Sequence, residues 1–71
     1  MTRIKFTFLN DEYTITIGKY DRLYLYREKS RLPLFSYLWM PAFYDAFVEA
    51  LYENGYIMYN SNTGLKATTE F

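Results

Sequence analysis

Large apolar side chains occupy alternate positions through the first part of the chain. Ile4, Phe6 and Phe8 are separated by Lys5 and Thr7, and Tyr13, Ile15 and Ile17 by Thr14 and Thr16. A period of two marks strands that are buried on one face only. Between the two runs stands Asn10-Asp11, a pair that tolerates the positive φ of a tight hairpin turn. A two-residue loop there predicts Leu9 opposite Glu12, Phe8 opposite Tyr13, Phe6 opposite Ile15 and Ile4 opposite Ile17. The large apolar groups then share one face, and Lys5, Thr7, Thr14 and Thr16 share the other. A slip of one residue would mix the two faces. Residues 18–21 read as a second turn and residues 22–27 as a third strand. With Leu23 and Leu25 inward, Arg22, Tyr24, Tyr26 and Glu28 form an outer stripe.

Residues 29–33 break the alternation and end on Pro33, which cannot donate to a strand ladder, so they read as a loop. Residues 34–40 are densely apolar and fit either a short helical turn or an irregular segment under the sheet. From Pro41 the period becomes helical. Phe43, Ala46, Phe47, Ala50 and Leu51 recur at i, i+3, i+4, i+7 and i+8, a stripe wide enough to cover a sheet. Proline suits the first helical position, and Asn54-Gly55 is a good stop. Residues 56–59 predict a strand returning to the sheet, residues 60–64 a polar turn, and residues 65–71 either an edge strand or a loose tail. The expectation is a single small α+β domain over residues 1–71. It has a three-stranded antiparallel meander, one helix and a returning strand, in the order ββ(β)αβ.

Composition turns this fold towards recognition. Nine tyrosines, six phenylalanines and one tryptophan stand in 71 residues that contain no histidine and no cysteine. Disulfides and Cys/His zinc sites are excluded, and so are the two side chains most used for nucleophilic and acid–base work near neutral pH. No phosphate-cradling glycine loop and no nucleophile–base motif is present. The reading is therefore non-catalytic, with no cofactor. So short a chain buries only about 60% of its unfolded surface, and a homodimer would relieve that thin margin. Residues 1–9 are too short and too broken an apolar run for a signal peptide, and no stretch approaches a membrane span. The expected setting is the cytoplasm, the host's if the protein is viral.

Eight basic and eight acidic residues give a formal net charge of zero, but they are segregated. Residues 19–31 hold Lys19, Arg22, Arg27, Lys29 and Arg31 against Asp21 and Glu28. Residues 41–53 hold Asp45, Glu49 and Glu53 with no basic residue. These three acids are four apart, hence on one helix face, where like charges repel by a few tenths of a kcal/mol per pair. One reading is a solvated face, and another is a ridge that meets a basic, nucleic-acid-handling protein. Charge pairing within the chain, or head to tail between copies, would also account for the segregation.

The aromatics divide similarly. Phe6, Phe8, Tyr13, Phe43 and Phe47 are accounted for as core, while Tyr24, Tyr26, Trp39, Tyr44 and Tyr52 are left over. Trp39 at a helix entry either staples the core or, if exposed, leads as a binding hot spot. Tyr24 and Tyr26 with Arg22 suit a protein interface, or the stacking of single-stranded bases, unless a second layer covers them. Cysteine-free, aromatic-rich chains of this size resemble accessory proteins of phages and mobile elements, anti-CRISPR proteins among them. The resemblance is one of size and composition and carries no residue motif. It implies an inhibitor that masks a host protein by steric means. The candidate contact residues are Asp45, Glu49, Glu53, Tyr52, Tyr24, Tyr26, Arg22 and Trp39. A single-stranded nucleic-acid binder and a purely structural homodimer are the alternatives.

Overall fold

The computed structural model describes residues 2–70. Strands β1 (Thr2–Phe8), β2 (Asp11–Ile17), β3 (Leu23–Arg27) and β4 (Ser30–Leu32) form an antiparallel sheet in the order β1-β2-β3-β4. A short helix α1 (Leu34–Leu38) and the main helix α2 (Pro41–Glu53) follow, and then a two-stranded hairpin of β5 (Tyr56–Ser61) and β6 (Gly64–Thr69). The class is α+β, as the alternation and the helical stripe predict. The middle three residues of the expected loop, Ser30–Leu32, are β4, and residues 34–38 take the helical option. The returning strand pairs with β6 instead of joining the meander as its fourth member. A single bridge between Arg22 and Lys66 carries the hairpin alongside the start of β3, where β4 has no partner to offer.

The first hairpin keeps its predicted faces but not its predicted register. Phe8 pairs with Asp11, Phe6 with Tyr13 and Ile4 with Ile15. The turn is Leu9-Asn10, with φ of 49° and 69°, not Asn10-Asp11. A shift of two residues leaves every side chain on its own face, so binary patterning cannot tell the two registers apart. Aromatic packing does. Phe6 and Tyr13 stack at 5.6 Å with planes 23° apart, and both rings meet Phe43, at 5.6 and 5.1 Å. Such pairs contribute about 0.5–1.5 kcal/mol each beyond burial, enough together to offset about 1–2 kcal/mol for a leucine in the left-handed region.

Phe43 is the hub of the core. Fully buried, it also touches Phe8 at 5.2 Å and Tyr37 at 5.3 Å. Around it close Ile4, Ile15 and Leu25 from the sheet, Phe47 and Leu51 from α2, and Leu65 and Ala67 from β6. The end of α2 is closed locally: the Asn54 side-chain amide donates to the Ala50 carbonyl at 2.8 Å, and Gly55 takes a φ of 84°. Gly55 accepts in turn from the Glu70 N–H at 2.8 Å, which ties down the end of the second hairpin. The sheet is thus covered by helix on one face, and its other face carries no second layer.

Candidate functional site

With Phe43, Phe47, Ala50 and Leu51 turned to the core, 3.6 residues per turn leave two parallel rows on the far side of α2. One row is Asp45, Glu49 and Glu53, all exposed. The other is Met40, Tyr44, Val48 and Tyr52, exposed except for half-buried Val48. An acidic row and an aromatic row therefore run side by side, and the sequence pattern had shown only the first of them. The signal for the second was the same spacing of four, begun one residue earlier.

Trp39 stands at the head of the helix, in the elbow between α1 and α2. Tyr37 and Leu38 take the inward positions at the end of α1, and the Met40 N–H closes the elbow on the Tyr37 carbonyl at 3.1 Å. The Met40 carbonyl then accepts from the Tyr44 N–H at 2.8 Å, starting α2 with Pro41 in its first turn. Trp39 is left 85% exposed, with exposed Phe35 four residues before it. The stapling role open to Trp39 falls to Tyr37 instead, which meets both Phe43 and Tyr13.

The uncovered face of the sheet holds the other candidates. Its register lines up Arg3, Thr16 and Tyr24 in one row and Lys5, Thr14, Tyr26 and Arg31 in the next. The tyrosines are half-buried rather than fully exposed. Tyr24 is held from two sides: the Arg31 guanidinium sits 4.6 Å from its ring centroid, and a Cβ on Gly18 would come within 3.2 Å of its Cε2. Together with Arg22, Tyr24 lines a groove beside Pro33, Leu34 and Phe35. Tyr26 opens into a different depression, of about 1050 Å³, with Arg3, Lys5, Thr14 and Thr16. The stripe expected as one surface is thus two. Arg27 lines the same depression as Tyr26; it lies 5.9 Å from the Tyr13 ring centroid, and its interaction with Tyr13 raises its pKa.

No ion pair forms among the described residues. The expected charge segregation is therefore not satisfied within the chain: the acidic row of α2 and the cations of the sheet face opposite sides. The depression holds a second unsatisfied group. Thr16 is only 5% exposed, and its hydroxyl has no hydrogen-bond partner. Leaving such a group unpaired costs about 1–3 kcal/mol, a large fraction of a small domain's stability.

Among the described residues no cluster of acidic side chains is placed to hold a metal ion, and no helix is long and apolar enough to cross a membrane. Comparison with protein-family models, with curated proteins and with solved structures found no match.

Proposed function

We propose that the protein is a non-catalytic binding module that docks the exposed face of α2, with the Trp39 elbow, onto a basic surface of a partner protein. The observation that carries this reading is the pair of rows on α2. Aromatic residues supply anchoring contact area, tryptophan and tyrosine being the residues that dominate interface hot spots. The acids beside them, unpaired within the chain, select a cationic partner and speed its approach. A basic surface that handles nucleic acid is the natural complement, and covering it would inhibit it by steric means. An inhibitor of a host defence or nucleic-acid-handling protein, of the anti-CRISPR kind, is the role this chemistry would serve.

Capture from a lysate of the cells that encode the protein, with mass spectrometry, tests the reading. The wild type is expected to retain basic proteins that are lost with Asp45→Lys/Glu49→Lys/Glu53→Lys and with Trp39→Ala, both variants keeping a native circular-dichroism spectrum. An identical set of captured proteins for all three would contradict it. A melting temperature that rises with protein concentration would favour the structural homodimer instead.

A further inference from the structure

The uncovered sheet face repeats one chemical unit twice. Across β1, β2 and β3, the row Arg3–Thr16–Tyr24 and the row Lys5–Thr14–Tyr26 each set a cation, a hydroxyl and a phenol ring side by side. Residues two apart on a strand are separated by about 7 Å, so the rows form a short ladder. Arg31 extends the second row; Glu12 lies one row further on, opposite Thr7, and with Asp11, Glu28, Arg27 and Lys29 it lines the far end of the same depression. The two rows therefore carry three cations and no carboxylate.

From this arrangement we infer that the sheet face is a binding site for a short stretch of single-stranded nucleic acid. Arg3 and Lys5 take successive phosphates, and Tyr26 offers its ring to a base, because Tyr24, its counterpart in the other row, is already covered by Arg31 and Gly18. Thr16 supplies the independent sign of a ligand. Its hydroxyl is buried, without a partner, and lies in the depression between Arg3 and Tyr24. A phosphate held by Arg3, the cross-strand partner of Thr16, is brought to that hydroxyl, which then donates to a phosphate oxygen. An acidic peptide would satisfy the cations but would leave the half-buried Tyr26 ring without a planar partner. The inference does not rest on the reading of α2, which occupies the opposite side of the sheet, and each can fail alone.

Fluorescence anisotropy of a labelled oligothymidylate about 10 nucleotides long tests it. The wild type is expected to bind at low salt and to lose affinity steeply as salt rises. Arg3→Ala/Lys5→Ala should weaken binding at least about tenfold, since it removes two phosphate contacts. Thr16→Val is the discriminating variant. It should weaken binding several-fold while raising the melting temperature, because valine fills the same space without an unpaired hydroxyl. No anisotropy change with wild type at about 100 µM would overturn the inference. So would unaltered affinity in Thr16→Val, or equal affinity for an oligoglutamate of matched charge.

Discussion

Leu9 combines two unfavourable conditions: a backbone φ of 49° and an apolar side chain left 78% exposed. Both follow from the register that Phe6 and Tyr13 impose, since stacking those rings moves the turn back by one residue. Asparagine and glycine are the residues that tolerate left-handed backbone in a two-residue hairpin loop. Leu9→Asn/Asn10→Gly is accordingly expected to raise the stability of the chain by about 1–2 kcal/mol, read from the urea midpoint. A midpoint that stays put or falls would mean that the turn is unstrained. This residue also marks the limit of pattern reading. Asn10-Asp11 has the better turn chemistry, and only the three-dimensional meeting of Phe6, Tyr13 and Phe43 explains why it is passed over.

For the elements, α2 shows which patterns in the chain are legible and which are not. Its core stripe, its proline start and its glycine stop are all present as spacing, because burial and capping impose fixed positions on a helix. The exposed faces are different. Asp45, Glu49 and Glu53 could be placed on one face, but whether a basic residue from elsewhere in the fold would pair with them could not. The same holds for Thr16, whose alternation places it outward with Thr14 while the fold leaves it only 5% exposed. Strands as short as β4 leave too few alternations to be read at all. The unpaired acids of α2 carry a prediction of their own. Glu49→Lys removes two like-charge neighbours and creates two opposite-charge ones, so it should stabilise the folded chain by about 0.5–1 kcal/mol in thermal or urea unfolding. The same change should weaken capture of the partner. Stability and binding moving in opposite directions is what a row kept for recognition implies; a solvated face would move stability alone.

Across the whole molecule, the four-stranded sheet separates an acidic helix face from a face whose rows carry cations, with Asp11, Glu12 and Glu28 at their end. Phe43, Phe47, Ile15, Leu25 and Leu51, with Tyr13, Phe6, Phe8 and Tyr37 packed around them, complete the core within one chain, so exposed Trp39, Tyr44 and Tyr52 and the open-face Tyr24 and Tyr26 are left outside it. On the helix side they stand beside acids, and on the open sheet side beside cations. That division, at zero net charge, is why composition alone points to neither a basic nor an acidic partner. The single tryptophan provides a direct test of the helix side, since emission from this chain's only indole reports on one exposed position. The measurement is the fluorescence of Trp39 in the free protein and in complex with the captured partner, with iodide as quencher. The account predicts that complex formation shifts the emission to shorter wavelength and protects it from iodide, and that both effects disappear with Asp45→Lys/Glu49→Lys/Glu53→Lys. A stable complex in which Trp39 emits and quenches as it does in the free protein would contradict docking through α2.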